Sequence, residues 1–523
     1  MNFRVFIFLL FLSNVAYADI LVPYPNKIEF KDGEYIVQRN ISLCFPDSCR
    51  SEVNDLVEFF ESKKIGFCEK EDDAIIHLRI DKNYSKMNES YSLVINKDKI
   101  NIIASDRAGI FYGIQTLKQL LKKNNEGNYF FPYVEIEDAP RFEWRALLLD
   151  EARTFQGKYL VKRLIKEMSL LKMNKLHWHL TDDQGWRIEI KKYPLLTSIN
   201  SDLTLSEDIE DDQRKGYYSH DDIKEIVKYA KENHVTIIPE IEMPGHASAA
   251  IVAYPWLGVH KSPICLPVTS KPVKVSSIYK DVFDISDDRT IQFFKDVLDE
   301  ICPLFSNGVV HIGGDEVCFS QWKESVSISE FMKENKLISY ADLQRWLTNS
   351  MSNYLSEKGI RMMGWNDILG DNIHNYSENN NDDYIIGEKL NSQTIIHFWK
   401  GDKSLMQNAL MGGFDIVNAY HQYTYMDYDT CSISLHKAYS FDPDYFDSSK
   451  QVKGKVLGLS CQMWGGSICT IETHFKLFKQ IFPRLAAYAE VGWTAKENKN
   501  WGRFQNAINQ MALEWEYRNI QFK

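Results

Sequence analysis

Residues 309–316 read VVHIGGDE. Val309, Val310 and Ile312 form a short apolar run, Gly313 and Gly314 break it, and two acids, Asp315 and Glu316, follow at once. A lone acidic pair at a strand end is most simply a solvated turn. A parallel strand covered on both faces, however, reads as a nearly continuous apolar run, and its C-terminal end is where an α/β fold places its chemistry. The fold is decided by whether this texture recurs.

It recurs seven times after Pro140, in WRALLLDEA, KLHWHL, TIIPEIE, RMMGWND, TIIHFW, DIVNAY and VLGLSCQMW. Between these runs lie segments with helical apolar spacing, such as LVKRLIKEMSLLKM and HDDIKEIVKYAKENH. Eight strand-helix units predict an α/β fold, a (β/α)8 TIM barrel over residues 140–523. Residues 19–139 differ. KIEFKDGEYIVQ carries an Asp32-Gly33 hairpin signal, YSLVINKDKINIIA reads as a second hairpin, and DRAGIFYGIQTLKQLLKK reads as a helix. This is a small α+β domain ahead of the barrel. The acidic, Asn-rich stretches 200–214 and 372–383 read as solvated surface loops.

Residues 1–18, MNFRVFIFLLFLSNVAYA, have the layout of a cleavable secretory signal: Arg4, an apolar run, then Ala16-Tyr17-Ala18. The expected route is therefore the secretory pathway, ending in a lysosome or outside the cell. No later stretch has the eighteen apolar residues of a membrane span. Nine cysteines in an exported chain suggest disulfides with at least one thiol left over. Asn40, Asn83, Asn88 and Asn375 head Asn-x-Ser sequons, expected glycosylation sites. The net charge of -11 argues against a nucleic-acid partner and suits a neutral or cationic small substrate.

The strand ends of such a barrel carry a rim of chemistry: Asp150 and Arg153, then His179 and Asp182-Asp183, then Glu240, Glu242 and His246. Asp315 and Glu316 come next, followed by Trp365, Trp399, Tyr425 with Asp427, and Trp464. Aromatic walls suit the faces of a sugar ring, and Arg and Asp suit its hydroxyls. Glycoside hydrolysis usually needs two carboxylates about 5 to 9 Å apart across one bond. Neighbours on an extended chain diverge, so Asp315 and Glu316 should divide the labour, one as proton donor and the other steering another part of the substrate.

HIGGDE, together with HWHLTDDQGWR (177–187), PEIEMPGHA (239–247), GWND (364–367), YMD (425–427) and the Trp464 segment, resembles the β-N-acetylhexosaminidases of glycoside hydrolase family 20. The likeness spans nearly the whole chain after residue 18. It implies exo-acting, retaining hydrolysis of terminal N-acetyl-β-D-hexosamine, GlcNAc or GalNAc, with the substrate's own 2-acetamido oxygen as nucleophile, and neither cofactor nor metal ion. It implies Glu316 as general acid and then base, and Asp315 as the group that orients the acetamido and stabilises the oxazolinium. Tyr425 would hydrogen-bond the acetamido oxygen, Trp365, Trp399 and Trp464 would wall the pocket, and Arg153 and Asp427 would bind ring hydroxyls. His246 and Asp182 would support the acid, with Glu240 and His311 either in the same network or core polar groups. The resemblance further implies a Cys265–Cys318 disulfide and allows a homodimer. One departure stands out: the family usually places a glutamate two residues after the last pocket tryptophan, and here that residue is Gly466.

Two other readings remain open on the residues alone. A metal-dependent barrel hydrolase would use His177 and His179, which alternate on one strand as H-x-H ligands do. A sugar-binding protein would keep the pocket with weak turnover.

Overall fold

The computed structural model describes residues 20–520, apart from 72, 199–214, 265–279, 306–307, 375–378, 388, 446–449 and 466–472. Residues 1–18, read as a signal, lie outside the described residues.

The eight apolar runs all become strands of one closed parallel barrel: Trp144–Asp150, Lys175–His179, Thr236–Glu240, Val309–His311, Arg361–Trp365, Ile395–Phe398, Asp415–Asn418 and Val456–Met463. The last pairs with the first, so no edge remains exposed. Burial on both faces explains the run of apolar residues; every residue of Trp144–Asp150 is buried. The amphipathic helices Gly157–Leu170 and His220–Glu232 pack outside, the second opened by a capping box between Ser219 and Asp222.

Ahead of the barrel a mixed sheet runs in spatial order Lys27–Ile36, Tyr129–Asp138, Tyr91–Ile95, Ile100–Ala104, Ile76–Ile80, Asn40–Cys44 and Gly66–Glu69. Helices Arg50–Ser62 and Arg107–Leu120 share its core. The second expected hairpin and the helix form; Asp106 caps the helix by accepting Gly109 N–H. The Asp32-Gly33 hairpin does not. Lys27–Ile36 is one strand that runs on past Gly33 beside Tyr129–Asp138, with a register shift between Phe30 and Glu34. Gly33 sits at φ +118, and a Cβ there would meet the Tyr133 ring at 2.3 Å, so the glycine serves a bulge rather than a turn.

The two domains share a buried polar joint. Asp138 accepts hydrogen bonds from Tyr91 OH at 2.7 Å, Trp493 Nε1 at 2.9 Å and Lys172 Nζ at 3.0 Å. A buried charge pair of this kind ties the sheet to the barrel because removing either partner strands the other in low dielectric. No helix among the described residues is long and apolar enough to cross a membrane. The described cysteines form no disulfide with one another. Cys318 is free among them, with Sγ 3.2 Å from Ser320 Oγ. Cys265, its expected partner, lies outside the described residues.

Candidate active site

The acid pair is presented by a sharply bent backbone. Gly313 and Gly314 adopt φ +66 and +90, and a Cβ on Gly313 would stand 1.6 Å from Glu242 Oε2. Glu316 itself lies at φ +52, a conformation costing a non-glycine residue about 1–2 kcal/mol. That turn corrects the premise of an extended, diverging pair. Both carboxylates face one imidazole: His246 Nε2 is 3.6 Å from Asp315 Oδ2 and 3.9 Å from Glu316 Oε2.

From His246 a chain of alternating charge crosses the rim. His246 Nδ1 lies 3.1 Å from Asp183 and 3.3 Å from Asp182. Asp182 Oδ2 takes both Arg153 Nη2 and His179 Nε2 at 2.8 Å, and His179 Nδ1 reaches Glu240 Oε2 at 2.7 Å. Burial alone would lower the His179 pKa, but Glu240 and Asp182 outweigh it and push it up to about 10, so both ring nitrogens donate. His246 is likewise raised well above its usual range, burial being outweighed by Asp182 and Asp315. Asp182 is held well below the usual carboxylate range, where Arg153 and His246 overcome its burial. Glu242, buried beneath Gly313 beside Asp315 and Glu240, is raised well above it.

Four aromatic rings stand beside this chain. Trp399 stacks on Tyr425 with centroids 6.0 Å apart, Trp464 lies 6.1 Å from Tyr425 and 5.9 Å from Trp365, and Trp365 lies 6.5 Å from Trp399. Each of the three tryptophans has a partner that fixes it. Trp365 Nε1 donates to Glu240 Oε1 at 2.8 Å, and Trp399 Nε1 donates to Asp367 Oδ2 at 2.8 Å. Arg153 lies over Trp464 at 5.2 Å, and Gly465 N–H donates to Asp150 Oδ2 at 2.9 Å, joining the last strand to the first. Asp427 follows Tyr425, its carboxyl pushed up to about 7 by burial. The structure thus brings together Asp315, Glu316, Arg153, Asp182, His246, Trp365, Trp399, Tyr425, Asp427 and Trp464.

Below the rim, His177, His311 and His397 cluster around Glu240, with centroids 4.5 to 5.4 Å apart. His177, Glu240 and His311 could place ligand atoms near one another, as could His246, Asp315 and Glu316. In the first set Glu240 accepts from Trp365 and His179, and His311 Nδ1 accepts Gly313 N–H at 3.0 Å, while the ring nitrogens of His177 make no hydrogen bond among the described residues. His177 and His179, the pair a metal enzyme would use, both lie against Glu240 Oε2, His177 Nε2 at 2.9 Å and His179 Nδ1, which hydrogen-bonds it, at 2.7 Å.

Sequence reasoning missed a brace behind the acid. In the 372–383 stretch, read as solvated, Asn372, Asn380, Asn381 and Asp382 are exposed, but His374, Asn379 and Asp383 are buried. His374 Nε2 contacts Asp367 Oδ1 at 2.5 Å. Asn379 accepts Phe319 N–H and donates to Val317 O, both at 3.0 Å, just after Glu316. A polar composition hid a buried polar network; the Asp367 of GWND was its one visible sign. Gly466 and Asn375 lie outside the described residues.

Comparison with known proteins agrees with this geometry. Residues 142–496 match the model of the glycosyl hydrolase family 20 catalytic domain, and residues 19–139 match domain 2 of that family. A beta-hexosaminidase from Porphyromonas gingivalis is 30% identical over 96% of this chain, which spans 64% of that relative's length. One from Vibrio furnissii is 30% identical, covering 91% of this chain and 77% of the relative. Among solved structures, a beta-N-acetylhexosaminidase from Bacteroides fragilis aligns with TM-score 0.81 and 30% identity, covering 96% of both chains. An exo beta-N-acetylglucosaminidase from Vibrio harveyi in complex with N-acetylglucosamine aligns with TM-score 0.82 and 27% identity over 96% of this chain and 78% of the other. This chain belongs to glycosyl hydrolase family 20.

Proposed function

We propose that this glycoside hydrolase removes terminal N-acetyl-β-D-hexosamine from the non-reducing ends of glycoconjugates or chito-oligosaccharides, with retention and with the substrate's 2-acetamido oxygen as nucleophile. The observation that carries the reading is Asp315. Its Oδ1 is buried, makes no hydrogen bond among the described residues, and is near enough to Tyr425 for its charge to bear on that phenol. A buried acceptor without a donor is costly unless a ligand supplies one. An acetamido N–H does so, and holding it there turns the acetamido carbonyl oxygen toward the anomeric carbon.

Asp315 accepts that N–H and stabilises the positive charge of the oxazolinium as it forms. Glu316 gives its proton to the glycosidic oxygen, then takes one from the water that opens the ring. Tyr425 OH donates to the acetamido oxygen. Trp365, Trp399 and Trp464 pack on the sugar, Arg153 donates to its hydroxyls, and Asp427, whose Oδ1 also makes no hydrogen bond among the described residues, accepts from them. His246, steadied by Asp182, holds Asp315 and Glu316 in register. The Vibrio harveyi relative that carries N-acetylglucosamine supports the substrate class. The leader-like residues 1–18 support a place in the secretory pathway, lysosomal or extracellular.

Aryl β-glycosides test this reading. Turnover should require the acetamido group, with N-acetylglucosaminide and N-acetylgalactosaminide cleaved and the plain glucoside not, and proton NMR should show the β-anomer first. Equal turnover of the glucoside, or an initial α-anomer, would overturn it.

A further inference from the structure

Behind Glu316 one carboxylate gathers three donors. Asp367, on the turn Asn366–Leu369 that follows the fifth barrel strand, is 9% exposed. Its Oδ1 accepts the backbone N–H of Glu316 at 3.1 Å and the Nε2–H of His374 at 2.5 Å, while its Oδ2 accepts Trp399 Nε1–H at 2.8 Å. Lys400 Nζ, 3.2 Å from His374 Nδ1, extends the set. Burial alone would raise the Asp367 pKa, but His374 and the other donors bring it below the usual carboxylate value, so the bond to Glu316 N–H is charge-assisted.

We propose that Asp367 is a positioning residue for the general acid, fixing the left-handed turn at Glu316 relative to the Trp399 wall. The proposal rests on the reading of Glu316 as the acid. A residue at φ +52 is held only while its surroundings define that conformation. Asp367 binds the turn at its own N–H, and Asn379 binds the next residues from the same side. Because the Asp367 carboxylate also holds the Trp399 indole, proton donor and sugar-packing ring share one anchor. Small displacements of a catalytic group lose large factors in rate. Such a loss has a signature. A misplaced acid harms a substrate whose leaving group must be protonated and spares one whose leaving group departs as a stable anion.

The test compares kcat and kcat/KM on phenyl and 2,4-dinitrophenyl β-N-acetylglucosaminides for wild type, Asp367→Asn, His374→Ala and Glu316→Gln, with thermal melts alongside. In Asp367→Asn the new NH2 faces Trp399 Nε1–H or the Glu316 and His374 donors, so one anchor is lost. Its rate should fall at least tenfold further on the phenyl than on the dinitrophenyl substrate. His374→Ala should show a smaller loss of the same kind, and it decides the matter if Asp367→Asn fails to fold. Glu316→Gln should show the largest selective loss. If Glu316→Gln loses both substrates equally, the acid assignment fails and the proposal with it. If Glu316→Gln is selective while the folded Asp367 and His374 variants lose both substrates equally or neither, the acid assignment stands and the positioning role is overturned.

Discussion

Gly313→Ala is the perturbation whose effect the structure defines most closely. The added Cβ would lie 1.6 Å from Glu242 Oε2, 2.2 Å from its Cδ and 2.6 Å from its Oε1, so a single buried carboxyl group blocks it. To restore a carbon contact of about 3.5 Å that group must retreat by roughly 2 Å. In doing so it gives up the Gly314 N–H, which it accepts at 3.3 Å, a bond worth about 1 kcal/mol. The backbone at φ +66 costs an alanine about 1–2 kcal/mol more. The expected loss of stability is therefore about 2–3 kcal/mol, measured by denaturant unfolding. Since Asp315 and Glu316 hang from the same turn, kcat/KM should fall about 100-fold for a shift near 1 Å. In a Glu242→Ala background the obstruction is gone, and the same alanine should cost only the backbone part, about 1–2 kcal/mol. Equal costs in both backgrounds, or activity within a factor of two of wild type, would refute the reasoning.

Asp315→Asn should lower kcat by about 100- to 1000-fold, the scale of an electrostatic group acting on the transition state, while its melting curve stays with wild type. Asp427 has its carboxyl raised by burial from 3.8 to about 7. A raised acid contributes stability below its unfolded pKa that is lost as pH rises through the folded value. Thermal melts of Asp427→Asn against wild type should therefore shift in favour of the variant from pH 4 to 7, and a pH-independent difference would contradict the assignment. With Gly466 where the family usually has an acceptor glutamate, turnover of gluco and galacto N-acetyl substrates should agree within about tenfold, a charge-assisted hydrogen bond being worth about 1.5–3 kcal/mol. A hundredfold preference for one epimer would show that another group fills that place.

The barrel was legible because its physics writes directly into the chain. Strands buried on both faces need not alternate, so Trp144–Asp150 and Val456–Met463 stand out as mostly apolar runs, with Arg145, Ser460 and Gln462 among the buried polar exceptions. The rim was legible too, since charged and aromatic residues at strand ends break those runs abruptly. What escaped depends on backbone conformation and on polar burial. Asp32-Gly33 looks the same in a bulge as in a hairpin; only the nearness of Tyr133 distinguishes them. The left-handed turn at Glu316, which brings both acids to His246, has no marker in a glutamate. His374 and Asn379 sit in a stretch whose composition reads as solvent-facing, yet each is buried because its polar atoms are satisfied by Asp367, Val317 and Phe319.

The central claim is that the substrate's own acetamido oxygen is the nucleophile and that Asp315 and Glu316 serve it. The most direct measurement is kcat/KM for one aryl β-glucosaminide carrying N-acetyl, N-fluoroacetyl, N-difluoroacetyl and N-trifluoroacetyl groups in turn. Each fluorine withdraws electron density from the carbonyl oxygen while leaving Glu316 and the leaving group unchanged. A steep, monotonic fall in rate along the series is the predicted result. A flat series would mean that the acetamido group is only bound, that an enzyme carboxylate or water attacks the anomeric carbon, and that the account is wrong.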